Sequence, residues 1–329
     1  MSRAAPLSIG LIGLGKHGER YLGHVQRDLP ELRIAALSRQ NADAGRALAG
    51  ELGVRFHADP RDLVNDPGVE AVIAVVPPRL HASIVEACVA ARRPLLIEKP
   101  FAVDAAEAFR LRDRVEDSGL PCLVAQTLRF SSVVRTVREW LPEIGLPSQV
   151  LLGQSFEPTR LGWLDDPAVS GGGNVLHTGV HMFDLLRHLT GGEVREAYCA
   201  LDRVTTKRTE DSFVASFAIE APHGRVLGSA AGSRATESRA GEIRIVAERG
   251  QVVADHVHRT ASLLADRRVV RSVEVADVPT VREVLQTFAT VARGAPSPIT
   301  ARDGAAAVAI ADACYRSAET GTRVRVPAQ

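Results

Sequence analysis

The sequence predicts an α/β protein in two parts. The first is a doubly wound parallel sheet; the second is an α+β half with a large, mostly antiparallel open sheet. Three observations carry this. Short apolar runs alternate with helical stretches from Leu7 to Ala125, the rhythm of parallel strands joined by crossover helices. Gly13, Gly15 and Gly18 stand in G-x-G-x-x-G spacing at the end of the first run. From Glu193 to about Val275 the apolar runs instead follow one another across short turns such as Pro222-His223-Gly224 and Arg249-Gly250, the pattern of antiparallel pairing.

Composition sets the bounds. The 329 residues suit two domains, expected at 1–122 and 123–329. A hydrophobic content of 45% with a formal charge of +1 describes a globular chain and gives no basic surface for nucleic acid. Cys88, Cys122, Cys199 and Cys314 are scattered without a CxxC pair, which points to buried thiols in a reducing compartment, the cytoplasm. The first apolar run is too short and glycine-broken for a signal peptide, and no stretch has transmembrane length.

Taken in order, Ser8–Ile12 reads as a buried strand that delivers the three glycines to the start of a helix ending near Asp28. Free N–H groups at that helix start, together with the positive end of its dipole, suit a diphosphate. Leu32–Leu37 is the second strand. The position after it, roughly 20 past the fingerprint, holds the adenosine ribose of a bound dinucleotide. Here it is Ser38-Arg39, with no carboxylate for a 2′-hydroxyl and a guanidinium that suits a 2′-phosphate. A solvated arginine opening a loop is the plainer alternative.

Ala42–Leu52 reads as helix closed by Gly53, Val54–Phe56 as a short strand, Asp62–Asn65 as a brief helix and Ala71–Val76 as a buried strand. Pro77-Pro78 turns the chain into the helix Leu80–Ala91, and Leu95–Ile97 returns to strand before Glu98-Lys99-Pro100. Asp104 and Glu107 have capping-box spacing at the head of a helix that Gly119 ends, and Leu120–Ala125 is one more strand. This order puts Pro77, His81 and Lys99 at carboxyl ends of parallel strands, where such sheets bind ligands.

Beyond Gln126 the pattern predicts a helix over Ser131–Trp140, a strand over Gln149–Phe156, a polar loop over Asp165–Gly173, and a helix capped by Asn174 that runs to Leu189. Strands follow at Ala197–Val204, Ser212–Glu220, Arg225–Ser233, Ile243–Glu248 and Gln251–Asp255. Helices at Val281–Arg293 and Asp303–Glu319 and a strand at Arg323–Val326 complete the chain.

Two places carry chemistry. An ammonium at a buried strand end, Lys99, is costly unless partnered. It serves either as a surface partner of Glu98 or as a cation that stabilises alkoxide-like charge. In the helix after Gly171-Gly172-Gly173, where backbone can approach a ligand closely, His177, His181, Asp184 and His188 recur at spacings of four, three and four along one face. Asp184 is placed to accept from one His181 ring nitrogen and fix its tautomer, as a general base requires. His177, in the first turn, sits where the dipole opposes protonation, and His188 is a dipole partner at the other end. Two histidines four apart also suit zinc, but Thr178 stands where a zinc protease carries its glutamate and no third ligand is evident, so no metal is expected.

Taken together, GLGKHG (Gly13–Gly18), VPPRLH (Val76–His81), EKPFA (Glu98–Ala102), WLDDPAVSGGG (Trp163–Gly173), HTGVHMFDLL (His177–Leu186) and AIADACYRSAETG (Ala309–Gly321) closely resemble the Gfo/Idh/MocA family of sugar and polyol oxidoreductases over nearly the whole chain. The resemblance implies a Rossmann domain and a C-terminal domain whose open sheet forms a homodimer or homotetramer. It implies NADP or NAD as cofactor, NADP being favoured by Ser38 and Arg39, and a sugar, cyclitol or related polyol as substrate. The cofactor would lie against Gly13, Gly15, Lys16, His17, Gly18, Ser38, Arg39, Val76, Pro77, His81, Glu98 and Lys99. Lys99 and His181 match the first and last positions of the family's Lys…Asp…His catalytic set, and His177 stands in the middle position, usually Asp. A non-catalytic cofactor-binding sensor or scaffold of the same fold is the alternative; the Lys99/His181 pair argues against it. Within Ser212–Glu220, Phe213, Phe217 and Ile219 are expected to face helices and Ser212, Val214, Ser216 and Ala218 the open side.

Overall fold

A computed structural model describes residues 5–327. Its contacts divide the chain into two units. Of the described residues, one holds 5–102, 106–125 and 279–305; the other holds 103–105, 126–278 and 306–327.

The first unit is a six-stranded sheet, every strand parallel, in the order β3-β2-β1-β4-β5-β6. The strands are β1 (Leu7–Ile12), β2 (Leu32–Ser38), β3 (Arg55–His57), β4 (Ala71–Ala74), β5 (Leu95–Ile97) and β6 (Cys122–Val124). All residues of β1, β4, β5 and β6 are buried, as expected of strands covered on both faces. The connecting helices are α1 (Lys16–Arg27), α2 (Ala42–Leu52), α3 (Pro60–Asn65), α4 (His81–Ala91) and α5 (Ala105–Ser118). Local chemistry bounds them. The Asn41 side chain accepts from Ala44 N–H at the head of α2, and Gly53 ends it at φ 65°. Winding reverses between β1 and β4, so the crevice at their carboxyl ends is the ligand position of such a sheet. Helix α9 (Thr280–Val291) packs on α1, and Arg293 bonds the carbonyls of Ala5 and Glu31.

The second unit is a nine-stranded sheet in the order β14-β13-β12-β11-β7-β10-β9-β8-β15. Its strands are β7 (Pro147–Ser155), β8 (Glu193–Asp202), β9 (Ser212–Ala221), β10 (Gly224–Ser233), β11 (Ala240–Ala247), β12 (Gly250–Asp255), β13 (Thr260–Ala265), β14 (Arg268–Glu274) and β15 (Val324–Arg325). All pairings are antiparallel except β7 with β10. Strands β13 and β14 extend the antiparallel run beyond the last strand that the sequence predicts there, Gln251–Asp255.

Helix α6 (Ser132–Ile144) covers β12 and β13, and α8 (Val180–Thr190) covers β7, β8 and β10. The Phe183 ring of α8 meets Phe213 at 6.1 Å and Phe217 at 5.5 Å, contacts worth about 0.5–1.5 kcal/mol each beyond their area. On the opposite face Val214 is 63% and Leu227 53% exposed, so the two-residue alternation of β9 falls as the sequence predicts. Helix α6 outlasts its expected end at Trp140 and passes Pro142, because Arg249 supplies donors to the carbonyls of Pro142, Glu143 and Ile144. The expected loop over Asp165–Gly173 begins at the end of a 3₁₀ turn, Gly162–Asp165, and contains the short helix α7 (Pro167–Ser170). The last helix, α10, spans Ala301–Thr320. No helix among the described residues is long and apolar enough to cross a membrane.

Candidate active site

In the first unit the glycine turn has the shape its residues allow. Gly13 sits at φ +92°, and a Cβ there would run into the Val75 carbonyl. A Cβ on Gly18 would strike the Gly13 carbonyl, so Gly18 is what lets α1 close on the turn. At Gly15 nothing lies within 4 Å of the same point, leaving the backbone open to approach. No side chain among the described residues caps α1, which leaves its first N–H groups available to an anion. These features fit a dinucleotide diphosphate. Ser38 is buried at the end of β2 and its carbonyl accepts from Gly13 N–H, while the Arg39 guanidinium lies 4.0 Å from Glu19.

Glu98 is the electrostatic centre of this half. It is buried, and one oxygen accepts from the Tyr21 hydroxyl at 2.6 Å and from His17 Nε2 at 2.8 Å. The other oxygen accepts from the Lys99 backbone N–H at 3.1 Å. Burial alone would raise its pKa, but the His17 hydrogen bond and charge, the Lys99 charge and the Tyr21 bond outweigh it and hold the carboxyl at about 2. Glu98 thus stays ionised and ties the strand end carrying Lys99 to the first turns of α1. Tyr21, four residues after His17 on the same helical face, completes this node; the spacing was its only sequence signal.

His81 is fully buried, with Nδ1 3.2 Å from the Phe101 carbonyl and Nε2 3.1 Å from that of Val76. Burial lowers its pKa despite those carbonyls. With both nitrogens on backbone, His81 staples the Val76-Pro77 turn to the segment after Lys99, so its part in the site is positional.

In the second unit the triple glycine departs from expectation. The backbone approached closely is the protein's own. A Cβ on Gly173 would hit the Glu210 carbonyl, and one on Gly172 the Tyr315 hydroxyl. Glu210 takes all three N–H groups: Gly173 on Oε2 at 3.1 Å, Asn174 on its carbonyl at 2.8 Å and Val175 on Oε1 at 2.9 Å. Tyr315 donates to Glu210 Oε1 at 2.8 Å. Burial nevertheless leaves the Glu210 pKa raised. A carboxylate distant in sequence therefore caps this helix, and Asn174, expected as the cap, instead donates from Nδ2 to the Asp211 carbonyl at 3.0 Å.

The helix opens with a π turn, Val175–Gly179, before α8. That wider turn, of a kind frequent at functional sites, carries His177. His177 is buried; its Nε2 donates to the Ser170 carbonyl at 3.0 Å, and its ring meets Trp163 edge-on at 5.6 Å. Along this helix Asp184 is held by Arg129, His188 lies 3.4 Å from Arg138, and His181 is half-buried in the first turn of α8. Arg129 follows β6 in a short 3₁₀ turn, and no local pattern marked it, or Glu210, as site residues. A small open depression lined by Asn174, His177, Thr206, Thr209 and Arg234, with a cavity volume of about 20 Å³, lies beside the π turn. Among the described residues no cluster of three or more histidines, cysteines or carboxylates is set to hold a metal.

Comparison with known proteins places both units. Residues 7–126 match the model of an oxidoreductase family with an NAD-binding Rossmann fold, and residues 147–253 match the GFO/IDH/MocA C-terminal domain. The chain is 29% identical to inositol 2-dehydrogenase 1 of Saccharopolyspora erythraea, over 97% of this chain and 96% of that one. It is 26% identical to myo-inositol 2-dehydrogenase of Thermotoga maritima, over 97% and 98%. Among solved structures, a probable dehydrogenase from Thermotoga maritima superposes with a TM-score of 0.82 at 25% identity, covering 97% of this chain and 99% of that one.

Proposed function

The chain belongs to the Gfo/Idh/MocA family of NAD-binding oxidoreductases, and on that premise we propose that it oxidises or reduces a secondary alcohol/ketone carbon of a sugar, cyclitol or related polyol. The observation that carries the reading is the Glu98 node, which fixes the backbone of Lys99 against the diphosphate-binding helix.

When bound, the nicotinamide supplies or accepts a hydride at C4; the chain's residues position the carbon and handle the proton. In the oxidative direction His181 takes the hydroxyl proton as the C–H hydride leaves. The Lys99 ammonium lowers the cost of alkoxide-like charge on that oxygen. His177, buried in its π turn, holds a substrate hydroxyl rather than acting as the base. Ser38 and Arg39 support NADP over NAD. The open sheet face supports a homodimer or homotetramer, and four buried free thiols support a cytoplasmic location.

A panel of cyclitols and sugars, assayed with each dinucleotide by nicotinamide absorbance, tests the reading. Turnover of at least one secondary alcohol is expected. Lys99→Met should fold and bind cofactor normally while turnover falls by orders of magnitude. Absence of turnover across the panel, or undiminished turnover in Lys99→Met, overturns it.

A further inference from the structure

The depression beside the π turn has an uneven supply of hydrogen-bonding groups. Its two carboxylates are engaged within the protein. Glu210 is taken by Gly173, Val175 and Tyr315, and Asp211 accepts from Val204 N–H, Thr206 N–H and both donors of Thr205. Arg234 on the same wall is different. Its Nη1 reaches Thr178 Oγ1 only at 3.4 Å, and its Nε is fully buried with no acceptor among the described residues. No ion pair to Arg234 occurs among them either. The nearby carboxylate Glu157 is bonded through both oxygens to Arg239, at 2.8 and 2.7 Å. The guanidinium instead lies 5.9 Å from the Phe156 ring centroid, a contact that does not replace a hydrogen-bond acceptor. Burial pulls its pKa down, against the raising influence of Glu157.

A half-buried guanidinium with an unanswered donor is costly to keep, because a buried donor without a partner loses its hydration and gains nothing in return. It is repaid by an acceptor that arrives with the ligand. We propose that Arg234 receives a carboxylate group of the substrate, so that this enzyme acts on an acidic sugar or cyclitol, a uronate or aldonate, rather than on a neutral polyol. This rests on the reading of the site as a sugar or cyclitol dehydrogenase. The planar fork of arginine matches a carboxylate through two parallel bonds. The supply of unengaged donors favours a carboxylate over a phosphate. Arg239, on the same Phe156 ring at 5.8 Å, is neutralised by Glu157, and Glu210 occupies the N–H groups of Gly173, Asn174 and Val175. One guanidinium with an unanswered donor remains, and the Glu210 and Asp211 carboxylates on the same wall disfavour a second negative charge on the ligand, so the wall suits a monoanion. His177 lines the same depression and stands four residues before His181, so a ligand anchored here lies along the helix that carries the proposed base.

The test is calorimetric titration of the cofactor-loaded protein with D-glucuronate and D-galacturonate, their neutral parents D-glucose and D-galactose, and glucose 6-phosphate. At least one uronate should bind tenfold or more tightly than its parent sugar and than the phosphate. Arg234→Met should remove that preference with dinucleotide affinity unchanged and melting temperature no lower, and Arg234→Lys should retain part of it. If Arg234→Met does not fold, the ionic-strength dependence of uronate affinity in the unmodified protein reads the same ion pair, and a salt-independent affinity overturns the proposal. So do uronates that bind no better than neutral sugars, a stronger phosphate, or a preference that survives Arg234→Met. Neutral polyols turned over while uronates fail would leave the dehydrogenase reading intact and sink this one. Uronates bound through Arg234 with no substrate turned over would do the reverse.

Discussion

Arg129 grips Asp184 through two parallel bonds, Nε to Oδ2 at 2.7 Å and Nη2 to Oδ1 at 2.6 Å, with the side chains only 11% and 1% exposed. The pair pins the turn after β6 to α8, three residues beyond His181. Removing one partner strands a charge in the interior, which typically costs 3–5 kcal/mol, whereas replacing both with apolar groups is often close to neutral. Arg129→Met should therefore lower stability by about 3–5 kcal/mol in urea denaturation, and Arg129→Met/Asp184→Leu should recover most of it. Equal losses in the single and double variants would show that the pair contributes nothing specific.

Glu98 makes a prediction with a defined sign. Its carboxyl is held at about 2, below the unfolded carboxylate range, so its contribution is complete above that range and is lost as pH falls toward 2. A shift of this size corresponds to about 3 kcal/mol at neutral pH. Melting curves of the unmodified protein and Glu98→Gln should differ most near neutrality and converge as pH approaches 2. A difference that does not change with pH would mean that Glu98 is not the ionised centre of the node.

What was legible in the sequence follows from the range of each interaction. The six parallel strands and the glycine turn depend on local periodicity and on backbone that only glycine permits at Gly13 and Gly18, so both were readable. The Arg129–Asp184 pair joins residues 55 apart, and Glu210 reaches Gly173 from 37 away; no pattern within one helix announces such partners. The π turn at Val175–Gly179 had no composition signal, because Glu210, not Asn174, satisfies the N–H groups that open it. Arg234 carries no local sequence signal, and only its burial beside occupied carboxylates distinguishes it.

The proposed preference for NADP rests on Ser38 and Arg39. Charge-assisted bonds contribute about 1.5–3 kcal/mol, so NADP should bind at least about tenfold tighter than NAD in calorimetric titration. Arg39→Ala should erase most of that gap while leaving NAD affinity nearly unchanged. NAD binding more tightly, or a gap untouched by Arg39→Ala, would assign Arg39 to its Glu19 neighbour alone.

The exposed face of the nine-stranded sheet predicts self-association. Val214 and Leu227 stand on it with Tyr198, 48% exposed, among alanines and serines of β8, β9 and β10. Two such flat faces can pack with two-fold symmetry. Light scattering at micromolar concentration should give a dimer or tetramer, and Val214→Arg with Leu227→Arg should shift it toward monomer. A monomer in the unmodified protein contradicts the assignment.

The last prediction separates His177 from His181. His177 is fixed by its environment: Nε2 faces the Ser170 carbonyl, which only accepts, so that nitrogen carries the hydrogen and a single tautomer is selected. The Trp163 ring packs against it at 5.6 Å and holds the imidazole plane. It is built to hold a hydroxyl or carboxylate in place. His181, half-buried in the first turn of α8, keeps the exposure that proton exchange with solvent needs. His181→Ala should therefore cut turnover severely and remove the pH dependence of the rate near neutrality, the range in which an imidazole base acts. His177→Asp replaces a ring that donates to Ser170 with an acceptor, so it should keep measurable turnover while moving substrate preference away from acidic ligands. A pH–rate profile of both single variants decides between the two. A profile flattened by loss of His177 and preserved on loss of His181 would mean that the base sits in the π turn and the positioning residue in α8.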